Sequence, residues 1–246
     1  MLITRDAQEH LDRVLAAAAA CCAEIVVLDS GSRDATEAIA RAHGARFHVR
    51  DFDGYGTQKR AAVALARNDW ILALDADEVL DDAAIAAVRA LRLPEQGTAC
   101  WYLRRRTFIG TREIRHGLWR NDRVLRLFDR RETDFTPEPV HESVPPVGRA
   151  AVLPGGVQHY SFPDLAAVFS QRYMRLKAQR YRARGRRAGP VLLLLRAWWA
   201  FVRSYILRRG FLDGGYGVAI ALHAATDAVV ALAMASAPVA GDGPES

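Results

Sequence analysis

The chain has 246 residues, half of them hydrophobic and a quarter charged, with a formal net charge of +6 and a pI near 9.6. This composition excludes a disordered or fibrous chain and supports one large domain, or a domain with an appendage. The basic balance points to an anionic partner, and the three cysteines lack the spacing of a zinc site or disulfide framework.

The opening MLITRDAQEHLDRV has no apolar core of signal-peptide length, so a cytoplasmic, reducing setting is expected. HLDRVLAAAAACCA predicts a helix and EIVVLD a strand. ATEAIARAHG predicts a helix closed by Gly44, and ARFHVRD a strand. TQKRAAVALARN predicts a helix, WILALD a strand and DDAAIAAVRALRL a helix. Strands alternating with helices predict an α/β fold with a mostly parallel central sheet covered on both faces. From Thr98 the period changes: TACWYLRRRTFIG and DRVLRLFDRR predict strands, and the proline-punctuated TPEPVHESVPPVG predicts loop. From Pro163 the pattern is helical to about Ala235, and APVAGDGPES reads as a disordered tail. The expected organisation is a catalytic domain over 1–163, a basic helical extension over 164–235 and a tail over 236–246.

Two acidic turns follow predicted strands. In Asp29-Ser30-Gly31-Ser32-Arg33-Asp34, Asp34 stands where an N-cap belongs, with Glu37 three residues on. Asp29 stands at the carboxyl end of a buried strand, where open α/β sheets bind ligands. After WILAL come Asp75, Asp77 and Glu78, three carboxylates within four residues. In an extended chain Asp75 and Asp77 face the same way. Such a pair is costly unless a proton or a cation intervenes, and hard divalent ions prefer oxygen ligands. Asp81 or Asp82 is expected to cap the following helix. A phosphatase of the haloacid-dehalogenase type also uses D-x-D, but on its first strand and with a different continuation.

TRDAQEHL, EIVVLDSGSRDAT, GYGTQKRAAVALA and WILALDADEVL, in this order and spacing, resemble the inverting family 2 glycosyltransferases. IRHGLWRNDRVLRLFDRR, EPVHESV, HYSF and YILRRGFLDG resemble one branch of that family, the lipopolysaccharide core β-1,4-glucosyltransferases. The resemblance implies a GT-A fold (Rossmann-like) with a C-terminal helical, membrane-associating extension. It implies transfer of a hexose such as glucose from a nucleotide-diphosphate sugar, a UDP-sugar first, to a lipopolysaccharide core or related glycolipid. Carried over by position, Thr4 and Arg5 lie beside the nucleotide, and Asp29 contacts the base or ribose with Ser30 and Ser32 nearby. Lys59 faces the donor pocket, and Asp75 and Ala76 contact ribose or sugar. Asp77 holds Mg2+ or Mn2+, with His159 completing the metal site. Glu142 matches the general base, and Trp119, Asp122 and His141 fall on the acceptor side. Read from the residues alone, Glu138 and His141 rival Glu142 as the base. His159 could instead pack on Tyr160, and Trp119 could be core rather than a sugar platform.

The chain departs from the family pattern in places. Only Met1-Leu2-Ile3 precede Thr4, so the first strand is expected to be short or its start misplaced. Asp6-Ala7 stand where Asn-Glu is usual, and Arg60 where Asn is frequent. These departures leave open an alternative, a non-catalytic sugar-nucleotide or glycolipid-binding protein of the same fold.

From Arg172 to Arg187 there are eight basic residues and no acid, followed by PVLLLLRAWWAFVRSYILRRGF. Arginines and tryptophans on apolar helices suit an anionic membrane interface, with a solvated helical pair as the bland alternative. Arginines within PVLLLLRAWWAFVRSYILRRGF, and His223 and Asp227 within GVAIALHAATDAVVALAMA, argue against spans. No nucleic-acid motif accompanies the charge, so no nucleic-acid partner is expected. The expected location is peripheral, on the inner face of the cytoplasmic membrane.

Overall fold

The structure is a computed structural model and describes residues 1–93, 99–138, 142–169, 181–182 and 188–236. His141, nearly all of the 172–187 basic run and the tail beyond Ser236 lie outside the described residues. The chain forms two compact units, Met1–Thr107 with Asn121–Ser161, and Phe108–Arg120 with the chain from Phe162 onward. Phe108–Arg120, which the sequence groups with the catalytic domain, sits in the second unit.

The first unit opens with β1 (Leu2–Thr4), short as expected, and α1 (Gln8–Ala19). Leu11, Val14, Leu15 and Ala18 of α1 are buried at helical spacing, so one stripe of the helix faces the core. β2 (Val26–Asp29), α2 (Thr36–Ala42) and β3 (Arg46–Val49) follow, and β1, β2 and β3 pair in parallel in that order. α3 (Tyr55–Ala64) leads to β4 (Trp70–Leu72). The Met1 nitrogen donates to the Leu72 carbonyl at 2.7 Å, and the Leu74 N–H donates to the Met1 carbonyl at 3.1 Å. This parallel bridge sets β4 beside β1. Thr4, Asp29 and Asp75 consequently end three neighbouring strand segments at their carboxyl ends.

Beyond β4 the pairing becomes antiparallel. β5 (Glu78–Leu80), α4 (Asp82–Ala90), β6 (Ala99–Ile109), β8 (Asp122–Asp129) and β9 (Arg149–Phe162) complete a sheet ordered β4-β8-β6-β9-β5, with β7 (Arg112–Ile114) on β6. The parallel part announced by strand–helix alternation is present, and β5 and β9 are additions. β5 has three residues, too few to show a period, and Pro154-Gly155-Gly156 interrupt β9 with turn chemistry. Asp81 caps α4, accepting from the Ala84 N–H at 2.8 Å, as expected. Asp34 does not cap α2. It stands one residue too early, accepts from the Thr36 N–H at 3.0 Å and the Gln8 N–H at 3.1 Å, and thereby ties the two loops together. The core of Leu11, Leu15, Val27, Leu103 and Val157 lies under the parallel strands, and a second cluster of Val63, Phe128, Phe135 and Val144 joins α3 to the antiparallel part.

The second unit holds short 3-10 turns at Gly117–Trp119, Ala167–Phe169 and Gly210–Asp213. Its long helices are α5 (Pro190–Val202), continued by a π-helical turn at Arg203–Leu207, and α6 (Gly215–Ser236). The motifs RHGLW and RRGFLD lock together there. His116 donates its N–H to Asp213 at 2.8 Å, Gly117 donates to the Arg208 carbonyl at 3.1 Å, and Arg208 donates to the Leu118 carbonyl at 2.7 Å. Pro190–Leu207 and Gly215–Ser236 are long and apolar enough to cross a membrane, the second despite His223 and Asp227.

Gly56 shows why a glycine opens α3. A Cβ there would collide with the Thr136 and Glu138 carbonyls, and the Gly56 N–H donates to the Glu138 carbonyl at 3.1 Å. The Thr136–Glu138 backbone is thereby pressed onto the helix that carries Lys59. Gly56→Ala is expected to lower stability by about 1–3 kcal/mol, the usual cost of overpacking, read as a lower urea midpoint.

Candidate active site

The first acidic turn is self-satisfied. Asp29 is 2% exposed. Its Oδ1 accepts from the Gly31 and Ser32 N–H groups at 2.8 and 2.6 Å, and its Oδ2 from Thr4 and Ser32 hydroxyls at 2.8 and 2.5 Å. All the carboxylate's ordinary acceptor capacity is used inside the loop. Arg5 donates to the Ser30 carbonyl at 3.2 Å, and Asp6 accepts from the Arg33 N–H at 2.8 Å. Thr4, Arg5, Asp29, Ser30 and Ser32 are therefore brought together as expected, with Asp29 shaping the loop that presents the others.

The second acidic turn differs from the extended pair expected. The Glu78 N–H donates to the Asp75 carbonyl at 3.0 Å, so the chain turns through Ala76 and Asp77. Asp75 meets two cations instead of Asp77: Lys59 Nζ at 2.7 Å and Arg126 at 2.5 Å. Arg126 also binds the fully buried Glu78 at 2.5 Å, and Glu78 accepts from the Asp75 N–H at 3.2 Å. Burial opposes ionisation of Asp75, but Arg126 and Lys59 outweigh it and hold its carboxyl well below the usual range. Burial likewise opposes the Lys59 charge, and Asp75, with Glu142 behind it, raises the lysine's pKa above its ordinary value.

Lys59 also bonds Glu142 at 2.7 Å. This lysine, 6% exposed, thus joins the donor-side carboxylate to the carboxylate expected to act as base. Glu142 is placed by Ser143, whose N–H donates to Thr136 Oγ1 at 3.1 Å, and by the buried Val144. Asp77 lies 3.4 Å from His159 Nε2, while His159 Nδ1 shares a hydrogen bond of 2.7 Å with Ser161. β9 fixes this pair in register, since Glu78 pairs with His159 and the Tyr160 N–H donates to the Asp77 carbonyl at 3.0 Å. Tyr160 stacks on His10. Adjacent ligands about 2.1 Å from an octahedral ion stand about 3 Å apart, so the Asp77–His159 spacing fits two neighbouring positions on Mg2+ or Mn2+. The Ser161 bond is the kind of outer contact that orients a ligating imidazole. No group of three His, Cys, Asp or Glu side chains among the described residues is arranged to hold a metal, so any ion here takes its remaining ligands from elsewhere.

Arg126 and Glu78 are site residues that the sequence motifs did not announce. The available signal is a lone arginine inside the apolar run VLRLF, since an arginine buried in a strand requires carboxylate partners. Asp122 binds Arg105 at 2.7 Å, and Arg105 reaches Glu78 at 3.8 Å, which connects Asp122 to the same network. Trp119 belongs to the second unit, where it stacks on Phe162 with centroids 5.5 Å apart and packs on the Ile109, Ile114 and Ile220 cluster.

The sequence profile described as glycosyl transferase family 2 matches residues 3–146. The chain belongs to that family. The matched span carries Thr4, Asp29, Lys59, Asp75, Asp77 and Glu142, and the expected family 2 resemblance, with its α/β fold, is borne out. Among curated relatives of this family 2 chain, a TPR repeat-containing protein of Synechococcus elongatus is 37% identical over 58% of the chain. The lipopolysaccharide core biosynthesis glycosyltransferase LpsC of Rhizobium meliloti is 29% identical over 75% of the chain, and an uncharacterized glycosyltransferase of Rickettsia typhi 25% identical over 87%. These matches span 34% of the cyanobacterial relative, 72% of LpsC and 77% of the rickettsial protein. Among solved structures, Staphylococcus aureus TarS is 14% identical over 72% of this chain and 63% of its own, with a TM-score of 0.43. Glucosyl-3-phosphoglycerate synthase of Mycobacterium tuberculosis, in complex with Mn2+, UDP and glucosyl-3-phosphoglycerate, is 26% identical over 32% of each chain, with a TM-score of 0.29.

Removing Arg126 leaves Asp75 and Glu78 short of their shared cation. Arg126→Met is expected to cost on the order of 3–5 kcal/mol at neutral pH, as for a broken buried pair. Asp75 titrates below its unfolded value, so its contribution is complete above about pH 4 and is lost as pH falls further. Urea melts of the metal-free chain at several pH values should show the Arg126→Met penalty shrinking toward the acid end.

Proposed function

We propose that this family 2 chain is an inverting glycosyltransferase that moves a hexose from a UDP-sugar to a glycolipid of the lipopolysaccharide core type. The observation that carries the reading is Lys59, bonded at 2.7 Å to both Asp75 and Glu142. It places one cation between the expected donor contact and the expected base. In the reaction, the acceptor hydroxyl gives its proton to Glu142 while its oxygen attacks the anomeric carbon. The bond from that carbon to the diphosphate breaks, and the electron pair leaves with the diphosphate. Donor binding supplies a diphosphate that competes with Glu142 for Lys59, freeing Glu142 Oε1 for the acceptor. Asp77 and His159 would hold Mg2+ or Mn2+, whose chemistry when bound is charge neutralisation on the departing diphosphate. Thr4, Arg5 and the 29–32 loop bind the nucleotide, with Ser30 and backbone groups in the contact role rather than the saturated Asp29. The relationship to LpsC and the two apolar C-terminal helices support a lipid-linked acceptor and a working place on the inner face of the cytoplasmic membrane.

Nucleotide release from UDP-, GDP-, dTDP- and ADP-sugars, with and without manganese, tests the reading. One donor should be turned over in a metal-dependent way, and Asp77→Asn should abolish that turnover. Glu142→Gln should lower turnover by about 10²–10⁴-fold, the usual share of a general base, while donor affinity measured by titration stays within a few-fold. Undiminished turnover in Glu142→Gln removes Glu142 from the base role.

A further inference from the structure

Among the described residues, the second unit carries an apolar surface that packing does not use. α5 packs on α6, with Ala200 its buried residue, and in the following π-helical turn Ser204 is buried against the Gly117 and Gly210 turns. At about 100° per residue, Trp198 lies nearly opposite Ala200, and Leu194 and Leu195 flank it. Leu194 is 72% exposed and Trp198 62%, and Val191, Trp199 and Leu207 are more than half exposed. Phe211 and Leu212, in the 3-10 turn that follows, extend this surface. Arg196 and Arg203 are seven residues apart, so they share one flank, about 40–60° from the packed face. Both are exposed, as is Arg209, and no acidic residue occurs between 190 and 212.

We propose that α5 lies in the plane of an anionic bilayer, with Leu194, Leu195, Trp198 and Trp199 among the acyl chains and Arg196 and Arg203 at the lipid phosphates. The proposal rests on the membrane location given above and specifies its contact. The surface is apolar where it faces away from α6 and cationic along its shoulder, which matches the layering of a bilayer entered sideways. A helix lying in this way sinks its apolar face only about 5–10 Å into the boundary between headgroups and acyl chains, so Trp198 and Trp199 meet the chains near their glycerol ends. A span through Pro190–Leu207 is long enough, but it would carry the guanidiniums of Arg196 and Arg203 into hydrocarbon. The in-plane pose leaves both at the phosphates.

The experiment is flotation of the full chain with vesicles of phosphatidylcholine alone and of phosphatidylcholine and phosphatidylglycerol in equal parts. Tryptophan quenching by lipids brominated near the glycerol end or near the methyl end of the acyl chain accompanies it, with Trp198→Phe/Trp199→Phe as the assignment control. Binding should require the anionic lipid and weaken about twenty-five-fold in Arg196→Gln/Arg203→Gln, at about fivefold per arginine. Leu194→Glu/Trp198→Glu should abolish binding and keep nucleotide release in lipid-free solution unchanged. Quenching of Trp198 and Trp199 should be stronger from the shallow bromines. Stronger quenching from the deep bromines places the helix across the bilayer and overturns the in-plane pose, as does anionic binding that survives both variant pairs. A chain that binds no vesicle, or that covers this face by dimerising in detergent-free solution, overturns the membrane location as well. Loss of nucleotide release in wild type with vesicle binding intact would count against the transferase reading alone.

Discussion

A carboxylate at the end of a buried strand remains an anion only if something replaces the water it has lost. In this chain Lys59 and Arg126 make that replacement for Asp75, and Glu78 secures Arg126 from its other side. The arrangement draws on α3, the Asp75–Glu78 turn and β8, so charge compensation is also what pins these elements to one another. The turn then presents Asp77 to His159 of β9 without an adjacent unbalanced Asp75. Buried ion pairs are weak sources of net stability, but removing one member is severe, and that asymmetry makes the network a strict specification of local geometry.

The strand–helix alternation of the first ninety residues is legible because each buried parallel strand is a continuous apolar run and each helix shows its stripe. The antiparallel part is less so. β9 carries proline and two glycines in its middle, and its pairing to β5 joins residues about eighty positions apart, which no local pattern encodes. The site divides in the same way. Asp29, Asp75 and Asp77 stand out as carboxylates that follow apolar strands, whereas Glu142 and His159 are marked by the family resemblance, and the fold gathers Asp75 with Glu142 around Lys59, and Asp77 with His159. Glu78 stood within the acidic run after WILAL, but its partner Arg126 lies 48 residues on in another strand, so the sequence marked the carboxylate and not the pairing. For Asp29 the local sequence did hold part of the clue: Gly31 and Ser32 supply three of its four donors, and Thr4 of β1 the fourth.

The second unit inverts the relation between motif and function. RHGLW and RRGFLD, which bind each other through His116–Asp213 and Arg208–Leu118, build a scaffold around the Ile109 and Ile220 core. Trp119, an obvious sugar platform in isolation, is stacked on Phe162 within that scaffold. α5 is outward among the described residues, exposing leucine and tryptophan that a helix of a water-surrounded core would bury.

The clamp of Gly56 on the Thr136–Glu138 backbone has a kinetic meaning. Lys59 and Glu142 are far apart in sequence, yet each is mounted on one side of that contact, with Val63 and Val144 in the same core cluster behind them. The entropy of bringing this cation and this carboxylate together is therefore spent once, when the chain folds. In the proposed mechanism each cycle would begin with the two groups already placed, and the lysine's change of partner would be a local exchange of hydrogen bonds instead of a loop search.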